Sequence, residues 1–162
     1  MIWVFDLDNT LYHTDNFNGE YDSIIKDDYL FCLLNQLQGK KYVFTNATLY
    51  HAKMILYKMG IIHLFTDIID RYKMDSFKPK KKAFEYFITE IGLKNNNNET
   101  VIFFEDSIIN LLEAKKKYDW VTVLIMPKIK NKNIKLIDYI YNDIHSAVES
   151  FSFNPGKCHN LL

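Results

Sequence analysis

Four short strand-like runs, the first three closing on polar residues and each followed by a helical pattern or a loop, restrict what this chain can fold into. They are Ile2-Trp3-Val4-Phe5, Lys41-Tyr42-Val43-Phe44, Val101-Ile102-Phe103-Phe104 and Val121-Thr122-Val123-Leu124-Ile125. Runs that are apolar at successive positions suit strands buried on both faces. Helical periodicity fills the intervals. Tyr21 to Gln38 carries Ile24, Ile25, Tyr29, Leu30, Leu33, Leu34 and Leu37, with Gly39 as a stop. Thr48 can cap a helix running through Ala52, Ile55, Leu56 and Met59 to Gly60. From Pro79 a helix runs through Phe84, Phe87 and Ile88 to Gly92, and another carries Ile108, Leu111, Leu112 and Ala114. Leu64 to Ile69 predicts one more short strand, Asn95 to Asn98 a polar connector, and Ile137 to Phe151 a last single helix. Such alternation implies right-handed crossovers. The expected fold class is α/β, a doubly wound and mostly parallel sheet with helices on both faces.

The chain has 162 residues, 48% of them hydrophobic and 15% aromatic. That supports one core domain over residues 1–151, with 152–162 expected as a flexible C-terminal tail. Twenty basic and twenty acidic residues cancel, which argues against a general attraction to nucleic acid or to a membrane surface. Nucleic acid therefore enters only as a substrate. The lysine runs at 78–82 and 115–117 read as solvated helix faces. Cys32, in an apolar stretch, is expected in the core and Cys158 in the tail, with no disulfide framework. No apolar run approaches membrane-spanning length and no basic region precedes a signal-like core, so a reducing, cytoplasmic setting and no membrane partner are expected.

Polar residues gather where the strands end: Asp6 and Asp8 in Asp6-Leu7-Asp8-Asn9-Thr10-Leu11, Thr45-Asn46, and Glu105-Asp106-Ser107. Lys78 precedes a helix. In a doubly wound sheet these carboxyl ends meet along one edge. There they supply an acidic pocket for a metal, donors for phosphate oxygens and a fixed cation, the parts that phosphoryl transfer needs. Each residue also has a plainer reading. Asp6 and Asp8 can form an Asx turn and Thr45-Asn46 a simple turn. Lys78 competes with Lys73 and Lys80 as the cation. Glu105 either reaches a metal through water or points to solvent, and Asn110 either supports the site or lies on a helix surface. The five histidines show no ligand spacing, so surface or core roles are expected.

The order and identity of these pieces resemble the four motifs of the haloacid dehalogenase (HAD) superfamily, from Asp6 to about Ile125. Phe5-Asp6-Leu7-Asp8-Asn9-Thr10-Leu11-Tyr12 and the later Phe104-Glu105-Asp106-Ser107-x-x-Asn110 are most similar to pyrimidine 5′-nucleotidase-type phosphatases of that superfamily. The resemblance implies a HAD-like (Rossmannoid) core and a Mg²⁺-dependent phosphomonoester hydrolase acting on a phosphorylated substrate, a nucleotide or other phosphometabolite. Asp6 would be the nucleophile and Asp8 the general acid and base. Asp6, the Asp8 carbonyl and Asp106 would hold Mg²⁺, and Thr45, Asn46 and Lys78 the phosphoryl group. Glu105, Ser107 and Asn110 would support them.

The chain departs from that pattern in two respects, and one is that Glu105 stands where relatives often carry an aspartate. Residues 11–44 and 48–78 leave no room for the helical cap that nucleotidase-type relatives carry, so little or no cap is expected. An open site suits bulkier substrates too, a phosphoprotein or a nucleic-acid 3′-phosphate; a non-catalytic binding module of the same fold and phosphotransfer to another acceptor are the remaining alternatives. The loop from Tyr12 to Tyr21, with Phe17 between, can serve as a small aromatic flap over the site, or a neighbouring subunit can cover it.

Overall fold

The computed structural model describes residues 1–93, 99–128 and 134–161. The connector expected at Asn95 to Asn98 lies outside them. Six parallel strands form one sheet in the order β3-β2-β1-β4-β5-β6: β1 (Ile2–Phe5), β2 (Lys40–Phe44), β3 (Asp67–Ile69), β4 (Val101–Glu105), β5 (Val121–Ile125) and β6 (Tyr139–Tyr141). The chain winds outward from β1 through β2 to β3, then returns to the other side of β1 as β4. That reversal puts a switch point between β1 and β4, where the crevice beyond the carboxyl ends of an α/β sheet takes its ligands. Register makes the point concrete. Phe5 pairs with Val43 on one side and with Phe104 on the other, so the next residue, Asp6, stands level with Glu105.

Alternating side chains of β1 feed two apolar layers. Trp3 and Phe5 face α1 (Asp28–Gln36), α2 (Leu49–Lys58) and α6 (Ile144–Phe151). Ile2 and Val4 face a layer that includes Phe84 and Phe87 of α4 (Lys81–Glu90) and Leu111 of α5 (Ile108–Tyr118). A one-turn helix, α3 (Arg71–Met74), follows β3. Burial of β1 on both faces is what its uninterrupted apolar run demands. Gly39 ends the turn into β2 at φ +112, and a Cβ there would stand 2.3 Å from the carbonyl oxygen of Met1. No helix among the described residues is long and apolar enough to cross a membrane.

Several expectations change. The helix expected from Tyr21 starts only at Asp28, because the Asp27 side chain accepts from the Leu30 N–H and fixes the cap there. Tyr21–Ser23 form a separate 3₁₀ turn and Ile25 is exposed. The single helix expected over 137–151 is a strand and a helix. Tyr139–Tyr141 extend the sheet beside β5, and Asp143 caps the Ser146 N–H to begin α6. The cysteines are not independent: Cys32 and Cys158 form a disulfide with Cα atoms 5.7 Å apart. Cys158 is fully buried, between 3₁₀ turns at Pro155–Lys157 and His159–Leu161 within the expected tail. Cysteine usage therefore gives no argument for a reducing compartment.

Asp27 also ties α1 to α6, since its second oxygen meets His145 Nε2 at 2.8 Å. The bond to and charge of Asp27 hold the imidazole pKa above its ordinary 6.5. Burial pushes the Asp27 carboxyl up, but the bonds from His145 and Leu30 outweigh it and leave it below 3.8. A raised histidine stabilises the fold below its unfolded pKa and loses that contribution as pH rises through the folded value; a lowered aspartate stabilises above its unfolded pKa. The pair should thus help most between these two ordinary values. His145 is 38% exposed, so screening limits the gain to about 0.5 kcal/mol. Thermal unfolding from pH 6 to 9 should show about 1–2 °C less loss in His145→Gln than in the unchanged chain. Equal slopes would contradict the assignment.

Candidate active site

The carboxylate loop is shaped by Leu7. Its side chain is fully buried, and its carbonyl accepts from the N–H groups of Thr10 and Leu11, closing a tight turn directly after β1. Asp6 and Asp8, on either side of Leu7, are left at the sheet edge. Asn9 takes the left-handed conformation (φ 59), and its side-chain oxygen accepts from the Thr14 N–H and hydroxyl. All nine residues expected at the site, Asp6, Asp8, Thr45, Asn46, Lys78, Glu105, Asp106, Ser107 and Asn110, line one cleft of about 380 Å³. Asn9, Pro79 and the exposed Ile109 complete its wall.

Lys78 lies at the bottom. Its ammonium donates to Asp6 Oδ1 and to Glu105 Oε2, both at 2.7 Å, and sits over the rings of Phe44 and Phe103 at 5.0 and 5.3 Å. Of the competing lysines, Lys73 pairs with Asp67 and Lys80 is an exposed helix cap. Glu105 does not point to solvent. It is buried, and its oxygens accept from Lys78, Asn110 and the backbone N–H groups of Asp106 and Ser107. Asn110 is likewise buried against Glu105 rather than spread on a helix surface. Asn46 is more committed than a free phosphate ligand: its side chain accepts from the Lys78 N–H at 2.8 Å and donates to the Lys78 carbonyl at 3.1 Å. One amide hydrogen remains. Thr45 accepts from the Ala47 N–H, and its own hydroxyl hydrogen has no acceptor among the described residues.

Asp6, Glu105 and Asp106 place carboxylate oxygens within 4.8 Å of one another. Burial, the charge of Glu105 and, less strongly, that of Asp106 push the Asp6 carboxyl up, opposed by Lys78. Burial with the hydrogen bond to and charge of Glu105 pushes Asp106 up to about 7. Burial alone would raise Glu105 and lower Lys78, but their mutual attraction and its neighbours reverse both directions. Were all three carboxyls ionised, one ammonium would leave two negative charges uncompensated, a repulsion that adds to burial in raising Asp6 and Asp106. Hard oxygen donors with that surplus fit a divalent cation such as Mg²⁺.

Two participants escaped the sequence reading. Tyr12 donates its hydroxyl to Asp8 Oδ1 at 2.7 Å, and His51 Nε2 approaches the same oxygen at 3.3 Å. Thr48, read correctly as a cap, already placed His51 in the first turn of α2 at this edge; its partner lies 43 residues away and left no local signal. The Tyr12–Tyr21 loop does not line this cleft: Phe17 packs on His51 and Tyr21, while His13 and Asp15 line an adjoining hollow.

A family model for haloacid dehalogenase-like hydrolases matches residues 17–116, more than half of the chain. The chain belongs to the haloacid dehalogenase-like hydrolases. For this HAD-like hydrolase the match begins after the first acidic loop, so the placing of Asp6 and Asp8 rests on the geometry above. No curated protein matches the chain in sequence. Among solved structures, a HAD phosphatase from Thermococcus onnurineus has a TM-score of 0.67 at 15% identity, over 92% of this chain and 96% of that one. The L-2-haloacid dehalogenase of Xanthobacter autotrophicus with chloropropionic acid covalently bound also gives 0.67, at 10% identity over 91% and 96%. Magnesium-bound YfnB from Bacillus subtilis gives 0.57 at 21% identity, over 75% of this chain. This chain spans about half of YfnB, 54% of its length. The shared feature at these identities is the HAD fold.

Replacing Lys78 by Met should expose the logic of the buried charges. Asp6 and Glu105 would lose their counter-charge, at a cost of about 3–5 kcal/mol at pH 8. The cost should shrink at pH 5, where the stranded carboxylates can take up protons. Urea unfolding at the two pH values reads this, and a pH-independent loss would contradict it.

Proposed function

We propose that this HAD-like hydrolase is a Mg²⁺-dependent phosphomonoester hydrolase that works through an aspartyl-phosphate on Asp6. The observation that carries the reading is the set of Asp6, Glu105 and Asp106 around Lys78, with the Asp8 carboxyl two residues beyond the nucleophile. Displacing a halide from carbon needs neither a divalent cation nor an acid for the leaving group. An alkoxide leaving phosphorus profits from both, which favours phosphatase over dehalogenase chemistry.

Lys78 holds Asp6 Oδ1, leaving Oδ2, which among the described residues meets only the Thr10 hydroxyl at 3.4 Å, as the attacking oxygen. Its attack forms an Asp6–phosphorus bond and breaks the ester bond, while Asp8 gives a proton to the departing oxygen. Asp8 then takes a proton from the water that attacks phosphorus, and the bond to Asp6 breaks to release phosphate. The free hydroxyl hydrogen of Thr45 and the remaining amide hydrogen of Asn46 suit phosphoryl oxygens. Asp6, Asp106 and the Asp8 carbonyl would hold Mg²⁺, with Glu105 holding Lys78 beside them. When bound, the ion neutralises the surplus negative charge and lets an anionic phosphate approach.

The substrate reading is a nucleotide or other phosphometabolite. A second hollow of about 270 Å³ shares Asn9 and Asp106 with the cleft and adds His13, Asp15, Ile125, Met126 and Pro127, room for a leaving group. The described residues between β1 and β2 build only short turns and α1, so the cleft also admits the end of a phosphoprotein or nucleic-acid chain.

The test is phosphate release from nucleoside monophosphates, sugar phosphates, 3′-phosphorylated DNA and a phosphopeptide, with 2-chloropropionate as the dehalogenase control. Mg²⁺-dependent release that EDTA abolishes, and that falls at least about a thousand-fold in Asp6→Asn, is expected. Release of chloride alone, or no turnover above the mutant, would overturn the reading.

A further inference from the structure

We infer that Tyr12 and His51 are positioning residues for the general acid, doing from beneath the site what a cap would do from above. The inference rests on the phosphatase reading and goes beyond it, because neither residue faces the cleft. Both act on one atom. Asp8 Oδ1 accepts the Tyr12 hydroxyl at 2.7 Å and lies 3.3 Å from His51 Nε2. Among the described residues Oδ2 has no donor. The carboxyl group is thereby held by one oxygen, and the other is presented to the cleft that Asp8 lines.

The hydrogen bonds allow one self-consistent arrangement for a neutral imidazole. Tyr21 donates its hydroxyl to His51 Nδ1 at 3.2 Å. That leaves the ring proton on Nε2, shared between the Tyr12 oxygen at 3.1 Å and Asp8 Oδ1. Tyr12 in turn gives its proton to Asp8. The Tyr12 hydroxyl, both His51 ring nitrogens and Asp8 Oδ1 then each have a partner. The Phe17 ring stands edge-on against His51 at 5.3 Å, fixing the imidazole plane. Tyr12 is buried, with its backbone bridged to Asp8.

A partly exposed carboxyl within a tight turn ordinarily samples several rotamers. Substrate-driven closure of a lid is one way to select the productive one. Here the aromatic loop and the first turn of α2 select it before substrate arrives. This gives the Tyr12–Tyr21 segment a function other than the flap its sequence suggested.

The consequence appears only where the leaving oxygen needs a proton. An alkyl phosphate requires Asp8 to protonate the departing alkoxide. A dinitrophenyl phosphate does not, because dinitrophenolate is stable as an anion. Single-turnover release of the alcohol or phenol, with enzyme in excess and Mg²⁺ present, isolates the step that phosphorylates Asp6. For Tyr12→Phe and His51→Ala the alkyl-to-dinitrophenyl rate ratio should fall on the order of tenfold, a fraction of the full effect of general acid catalysis. His51→Gln, whose amide N–H can stand in for Nε2–H, should restore most of the ratio. A ratio unchanged from the parent chain in folded Tyr12→Phe and His51→Ala would overturn the inference while leaving the phosphatase standing. An equal loss on both esters would do the same, as it marks a merely structural role. If the parent chain released neither product, or did so equally well as Asp6→Asn, the phosphatase reading would fail and take this inference with it.

Discussion

The buried ammonium of Lys78 is the interaction on which the site depends. It sits between Asp6 and Glu105, and both its carboxylate contacts are 2.7 Å. Each partner comes from a different strand end, so the contact fixes the edge between β1 and β4. Removing such charges from water is costly, and close pairing with further hydrogen bonds is what makes it tolerable. The further bonds are present: Asn110 and two backbone N–H groups complete Glu105, and Asn46 secures the Lys78 main chain on both sides.

That arrangement does not reach neutrality. Asp106 adds a third carboxylate, and the surplus charge faces the opening rather than the core. In the proposed reaction, the same imbalance that helps raise the Asp6 and Asp106 carboxyls would make the cleft receptive to a divalent cation and, through it, to a phosphate. Asp8 is set apart from this cluster. It meets Tyr12 and His51 instead of other carboxylates, and that separation allows two acidic side chains of one loop to take different roles.

Much of this was legible locally. Largely apolar runs gave β1, β2, β4 and β5 because parallel strands are buried on both faces, and the polar residues closing β1, β2 and β4 marked the sheet edge where the site lies. Thr48 as a cap was legible because its partner, the His51 N–H, is three residues away. What failed depends on distance along the chain or on competition between local signals. Asn46 reads as a phosphate donor until Lys78, 32 residues on, occupies most of its amide. Cys32 and Cys158 are 126 residues apart, and no spacing announces the bond. In the segment before α1, apolar periodicity continued through Ile24 and Ile25, but the Asp27 cap overrode it. In the segment after residue 137, Tyr139-Ile140-Tyr141 fits either period, and the open edge of β5 decided for a strand.

The central claim is that Asp6 becomes phosphorylated beside a cation held by its acidic neighbours. Beryllofluoride, which takes the place of a phosphoryl group on an aspartate, tests it without any choice of substrate. Fluorine NMR of the protein with beryllofluoride should show bound resonances that require Mg²⁺ and vanish in Asp6→Asn. No bound signal in the unchanged protein, or one that persists without Mg²⁺ or without the Asp6 carboxylate, would contradict the account.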